Sequence, residues 1–377
     1  MQKKQIANVI FFVRAVEPRD PNTEKIMPKT VEKQIDLVRH YGFPASFLLQ
    51  YDAFIRPDYI SLIKTLPENC EVGGWFEVVQ PLVEKAGLRW RGRPGFAWDW
   101  HPDVGFSVGY TPPERLLLVD VFMAGFKERF GHYPHSVGSW LIDAVTLAYM
   151  ADHYGLEASS ICRDQWGTDG YNLWGGYWGQ GYYPCRNNVL CPAQTKKAQI
   201  SVPTFRMLGS DPIYQYDLGL CDGDDFTPSG SQGVVTLEPV YGGSGGNPRW
   251  VDWYLGENFK ESVTFGYTQI GQENSFGWES MKNGLLYQFE ALAKLNAAGK
   301  VSVQTLCDTG KWYKANFPLT TVTSASGLTD WQERGRQSLW FDSRFYRANF
   351  YGEDGRVWLR DIHKFDENYR ERYFSSV

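Results

Sequence analysis

Apolar runs fit for buried strands alternate along this chain with segments of helical periodicity, and no other feature limits its fold as much. Strands are predicted over residues 8–16, 44–51, 71–76, 135–140, 158–163, 263–270 and 301–306. Helices over 30–41, 56–66, 112–130, 142–154 and 281–298, and a shorter one at 311–317, separate them. In the first helix Val31, Ile35 and Val38 share one face and Gly42 follows as a stop. Repeated β-α units imply a parallel sheet with its helices outside. No glycine-rich phosphate loop follows a strand, so a barrel explains the pattern better than an open dinucleotide-type sheet. The expected fold class is α/β: a distorted, seven-stranded (β/α) barrel with long loop insertions and a short β-rich C-terminal extension. In such barrels chemistry sits at the C-terminal ends of the strands.

The barrel is expected over residues 1–320, interrupted by an aromatic and glycine-rich insertion at about 165–252. That stretch is far too long for an ordinary loop and is read as functional or partly structured. Residues 335–377 read as two extended segments around the turn at Gly352–Gly355. They either pack on the barrel or begin a further β-domain. No run of 18 apolar residues supports a membrane span. The opening MQKKQIANVIFFVRAVEP has an apolar run broken by Arg14 and lacks a small-residue cleavage site, so it reads as the first strand. A periplasmic or extracellular location is the expectation, with no signal peptide visible.

The 38 basic and 43 acidic residues leave a net charge of −5, which argues against a nucleic-acid footprint. Aromatic residues make up 16% of the chain and include 15 Trp. So many indole N–H groups do not all suit a dry core, and flat rings with polar tips suit sugars. The densest segment is QWGTDGYNLWGGYWGQGYYP, in which Trp166, Trp178 and Tyr183 interleave with glycines. It reads as a sugar-stacking wall or as an aromatic mini-core. The six Cys form no CxxC, so zinc-ribbon and thioredoxin readings fail; a Cys185–Cys191 pairing stays open. An acidic run at Asp222, Asp224 and Asp225 reads as a solvated turn before it reads as a Ca²⁺ loop.

Glycoside hydrolysis needs two carboxyl groups whose environments push their pKa values apart. Glu273 follows a predicted strand beside Gly271, Gln272 and Asn274, and Asp164 follows another beside Arg163 and Gln165. These two are the expected catalytic pair, with Asp169 as a substitute. Arg14, Trp75, Glu77, Trp140, Arg163, Gln165, Trp166, Asp169, Trp178, Tyr183 and Trp312 are the expected substrate contacts. Asp99 lies between Trp98 and Trp100, and Asp143 is placed to cap a helix.

The order GFPASFLLQY, helix, EVGGWF resembles the start of the polysaccharide-deacetylase (NodB-like) barrels. HSVGSWLIDAVTLAYMADHYGLEASSICRDQW resembles their later strand-helix-strand unit, and YTQIGQENSF with the helix and strand after it resembles the end of related glycoside hydrolase barrels. The resemblance covers the chain to about Pro318. It implies a carbohydrate-acting enzyme, and in the deacetylases an Asp-Asp pair after the first strand and a His-x-x-x-His pair after the third hold a metal. Here those places read Phe12-Val13-Arg14-Ala15-Val16-Glu17 and Gly74-Trp75-Phe76-Glu77, without His. The leading expectation is therefore metal-independent and cofactor-free cleavage of an oligo- or polysaccharide. The alternatives are a non-catalytic carbohydrate-binding protein on a degenerate barrel and, behind it, a metal-dependent deacetylase.

Overall fold

A computed structural model describes residues 3–162, 176–216, 234–260 and 262–377. The barrel sheet contains β1 (Gln5–Val13), β2 (Ser46–Leu49), β3 (Glu71–Trp75), β4 (Ser136–Ser139) and β5 (Ala158–Ile161). A small hairpin follows, with β6 (Gly181–Tyr182) leading into β7 (Pro184–Cys185) and β8 (Asn188–Pro192). Then come β9 (Thr204–Arg206), β10 (Gly266–Ile270) and β11 (Ser302–Gln304). The order across the sheet is β10-β1-β2-β3-β4-β5-β9-β6, with β11 also on β1. Every pairing is parallel except that of β6 with β9. Gln269 Oε1 accepts from the Leu208 N–H across the gap between the two ends of the order, 3.0 Å away.

All seven predicted strands are present, and the first is shifted to Gln5–Val13. The helix Pro112–Phe130 has the predicted bounds, opened by a Thr111–Glu114 capping box and closed by Gly131. The helix predicted from residue 30 starts at Pro21 instead, because the Asp20 side chain caps it and Pro28 is absorbed inside. The stretch 165–252 is not loop throughout: β6 to β9 lie in it and the helix Pro248–Asn258 begins in it. β9 is a buried barrel strand of three residues, too short to show a period, and its Arg206 disguises it.

Alternation along β1 separates two cores. Ile6, Ile10 and Phe12 face the barrel interior with Leu48, Trp75, Phe205 and Tyr267. Ala7, Val9, Phe11 and Val13 face the surrounding helices. The helix Leu306–Asn316 closes the N-terminal end of the barrel: its first amides donate to Ser46 Oγ (2.8 Å) and Glu71 Oε2 (3.0 Å), at the starts of β2 and β3. The other end is left for the site.

The C-terminal extension is a four-stranded antiparallel sheet of β12 (Thr323–Gly327), β13 (Gln337–Asp342), β14 (Tyr346–Glu353) and β15 (Arg356–Lys364). The β14–β15 turn falls at the predicted place, with Asp354 and Gly355 at φ 51° and 70°, as a two-residue hairpin loop requires. The inner face of this sheet lies on the barrel. Trp340 stacks on Trp178 at 3.9 Å, and Arg347 Nη1 donates to the Gly176 carbonyl at 2.9 Å. Among the described residues no helix is long and apolar enough to cross a membrane.

Candidate active site

Interior alternation carries β1, β2, β3 and β10 to Arg14, Gln50, Glu77 and Glu273 at their C-terminal ends. Arg14 is the hub. Its Nη2 donates to Glu17 Oε2 (2.8 Å), Glu273 Oε1 (2.9 Å) and Ser275 Oγ (2.7 Å). The Ser275 hydroxyl in turn donates to Glu273. All four side chains are buried.

Backbone geometry explains how Glu273 arrives there. β10 leaves the sheet at Gly271, whose φ is +125° and where a Cβ would sit 1.9 Å from the Ile10 carbonyl oxygen. Asn274 then pairs with the Arg14 backbone in both directions, accepting from its N–H at 3.0 Å and donating to its carbonyl at 2.8 Å. This pair ties the end of β10 to the end of β1.

Trp98 joins the hub to Glu77. Its ring lies 4.2 Å from the Arg14 guanidinium carbon, and its Nε1 donates to Glu77 Oε2 at 2.9 Å. Gln50 Nε2 donates to the same oxygen at 2.8 Å. Glu77 Oε1 is buried without a hydrogen-bond partner. Burial pushes the Glu77 carboxyl up to about 8; Arg14 opposes this and the Glu273 charge adds to it. Glu77 is therefore a neutral acid at pH 7. Burial also raises Asp52, to about 6, although it accepts from the Ala15 N–H at 2.9 Å. Glu17 goes the other way: despite burial, the Arg19 and Arg14 guanidiniums hold it below the usual range.

Beneath this network Trp75 and Trp140 meet edge to face at 5.9 Å, and Phe12 packs 4.3 Å from Trp75. Both indoles are buried in the floor and are not open platforms. At the rim Trp100 lies under Arg93 (4.1 Å), and Arg93 and His101 grip Asp99. Those contacts outweigh burial and hold Asp99 well below the usual carboxylate range, as a structural acceptor. Asp143 caps its helix at the Thr146 N–H and pairs with Arg115 at 3.1 Å.

The structure thus brings Arg14, Glu77 and Glu273 together over Trp75 and Trp140. Asp164, Arg163, Gln165, Trp166 and Asp169 lie outside the described residues, as do Asp222, Asp224 and Asp225. Three expected contacts lie elsewhere. Trp178 is buried against Trp340 of the C-terminal sheet. Tyr183 is buried with its hydroxyl on the Phe317 carbonyl, 2.9 Å away. Trp312 packs against Phe265 and Lys4 at the closed end, because β11 pairs with the low residues Ile6–Asn8 and delivers its helix there. Cys185 and Cys191 are free thiols. Sequence reasoning missed Gln50 and Ser275. The polar Gln50 directly after an apolar strand was a usable signal; Trp98 was legible as a ring flanking a cleft carboxylate, but its bond to Glu77 comes from a distant loop and was not.

No sequence-family profile and no curated protein matches the chain. Among solved structures, a candidate glycoside hydrolase/deacetylase from Parabacteroides distasonis superposes with a TM-score of 0.73 at 14% identity, over 100% of this chain and 88% of that one. A candidate polysaccharide deacetylase from Mycobacterium smegmatis superposes at 0.50 and 13% identity, over 85% of this chain and 94% of that one. At these identities the likeness is one of fold. The chain is a deacetylase-like (β/α) barrel with an added C-terminal sheet.

A metal of the kind the sequence resemblance implies does not fit this donor set. A guanidinium already occupies the space between Glu17 and Glu273, and the rim histidine His101 is committed to Asp99 at 2.5 Å. Among the described residues no group of three or more His, Cys, Asp or Glu is placed to hold a metal ion.

Proposed function

We propose that the protein is a metal-independent glycoside hydrolase acting on an oligo- or polysaccharide, with Glu77 as proton donor and Glu273 as the partner carboxylate. The observation that carries this reading is the asymmetry of the two carboxyls. Glu77 is neutral at pH 7, with one oxygen committed to Trp98 and Gln50 and the other unpartnered. Glu273 is ion-paired to Arg14. A protonated acid and an arginine-paired carboxylate at one barrel mouth suit the two roles that glycosidic cleavage needs. The acid protonates the leaving oxygen, while the carboxylate attacks the sugar or activates water. Arg14 holds Glu273 in place and balances the charge. The Parabacteroides distasonis protein is described as a candidate glycoside hydrolase/deacetylase, and the guanidinium in the mouth favours the first half of that description.

The test is release of reducing ends from a glycan panel. Glu77→Gln and Glu273→Gln should each lower kcat by at least about a hundredfold while leaving sugar binding intact. Activity of the parent should fall as pH rises through about 8, as Glu77 loses its proton. Release unchanged in either variant removes that residue from the mechanism.

The competing reading is binding without turnover. It is favoured by the closure of the Arg14 network, in which both Glu17 and Glu273 are already satisfied. Glycan binding with no release from any substrate of the panel would establish it.

A further inference from the structure

Trp98 carries a bond to the Glu77 carboxyl, yet no strand or helix holds it. It sits in the stretch between the helices Gln80–Lys85 and Pro102–Gly105. A ring on such a stretch is fixed by what packs on it, and here two guanidiniums do. Arg14 Cζ lies 4.2 Å from the ring centroid and Arg19 Cζ lies 5.0 Å from it.

One carboxylate places both. Glu17 Oε2 accepts from Arg14 Nη2 at 2.8 Å and from Arg19 Nη2 at 2.6 Å, and Glu17 Oε1 accepts from Arg19 Nε at 2.7 Å. Arg19 is thus held by a two-pronged fork, which fixes the plane of its guanidinium as well as its position. Glu17 is anchored in turn. Its N–H donates to Glu24 Oε1 at 2.8 Å, in the first turn of the helix Pro21–Tyr41. The Glu17 side chain is 4% exposed and that of Arg19 is 41% exposed, so Arg19 reaches from a buried anchor to the rim. Further out, Arg93 rests on Trp100 and Phe96, at 4.1 Å and 4.0 Å, and grips Asp99.

We propose that Arg19 is a positioning residue: gripped by Glu17, it holds the Trp98 indole so that the ring N–H stays on Glu77 Oε2. That bond favours the charged form of Glu77, so a loosened ring raises the carboxyl further. The charged groups that face Glu77 among the described residues are Arg14, from the end of β1, and Glu273, from the end of β10. Both are kept in every variant below. The inference concerns where Glu77 holds its proton and stands whether or not glycosidic cleavage follows.

Arg19→Lys keeps the charge and removes the fork and the flat face. The pH at which Glu77 gives up its proton is read from thermal melts of the full chain, as the part of the profile that Glu77→Gln abolishes. In Arg19→Lys this pH is expected to rise by about half a unit or more. In a Trp98→Phe background, where the bond is already absent, the same change should move it by no more than about 0.2. Arg93→Lys alters the rim at Trp100 and Asp99, leaves Trp98 its two guanidiniums, and should leave the pH in place. No rise in Arg19→Lys overturns the proposal. A rise as large in the Trp98→Phe background means that Arg19 acts on Glu77 directly and overturns the route through Trp98. An equal rise in Arg93→Lys makes the effect a property of the whole rim and overturns the assignment too. Arg19→Lys and Arg93→Lys decide the matter between them if Trp98→Phe fails to fold.

Discussion

Glu77 shows how one buried group couples chemistry to stability. Its carboxyl is raised from an ordinary 4.5 to about 8, so the folded chain binds this proton more tightly than the unfolded chain does. The resulting stabilisation is complete below the ordinary value and is lost as pH climbs through about 8. Asp52 and Asp211, raised to about 6, and Glu371, raised to about 7, act with the same sign at lower pH. Between about pH 7 and 8 Glu77 therefore dominates the slope, and at higher pH the buried thiols of Cys191 and Cys307, also pushed up by burial, add to it. Thermal melts of the parent should fall in midpoint from neutral to mildly alkaline pH, and Glu77→Gln should flatten that part of the profile. The stability recovered at alkaline pH is on the order of a few kcal/mol. A parent profile flat above neutrality would contradict a buried neutral Glu77. Trp98 gives a finer test, since its N–H donates to the charged form and lowers the Glu77 pKa. Trp98→Phe keeps a ring for Arg14 and removes that bond. The alkaline limb of activity, or of stability if no activity is found, should move to higher pH. A shift to lower pH would mean that Trp98 acts otherwise.

Strand ends decide where these residues meet, and β10 is the instructive element. Its exit at Gly271 depends on a positive φ and on the absence of a side chain beside Ile10. Gly271→Ala should therefore destabilise the chain by about 2 kcal/mol or more and pull Glu273 from Arg14. Denaturant titration checks the first effect and loss of substrate turnover the second. The sequence made much of this legible. Arg14 stood at the end of the first predicted strand as a charged residue after an apolar run, the Gly-Gln-Glu-Asn run after β10 pointed to Glu273, and Glu77 stood two residues past Trp75. Local patterning reaches that far because each of these residues extends a strand whose period is two. It does not reach a partner delivered from another loop, such as Trp98, or a three-residue strand such as β9. Nor does it distinguish an indole that faces a sugar from one that fastens two layers together. Trp178 and Trp312 look like the first in the chain and are the second in the fold. Aromatic content alone does not say where a ring goes, because tertiary packing chose which surface each one covers.

At the scale of the whole molecule, the C-terminal sheet and the barrel share one set of contacts. Trp340 stacks on Trp178, its Nε1 donates to the Pro212 carbonyl at 2.9 Å, and Arg360 Nη1 reaches the Ile213 carbonyl at 2.9 Å. Asp342 accepts from the Trp178 N–H at 2.9 Å, and the Tyr177 hydroxyl pairs with Thr323 on β12. The chain after β15 returns to the barrel as well. Glu371 accepts from the amides of Ala144 (2.7 Å) and Val189 (2.9 Å), and the buried Arg115 donates to the Tyr373 carbonyl at 2.6 Å. A sheet stripped of these contacts has no second layer against its inner face, and a barrel without the sheet exposes Trp178 and the Pro212 carbonyl. We therefore expect one cooperative unfolding transition, seen at the same midpoint by far-ultraviolet dichroism and by tryptophan fluorescence. Trp340→Ala should lower the stability of the whole chain by about 3–5 kcal/mol, because it opens a cavity at the joint and leaves the carbonyl of Pro212 without this donor. Two separated transitions, with only the first moved by Trp340→Ala, would instead make the sheet a domain that folds on its own.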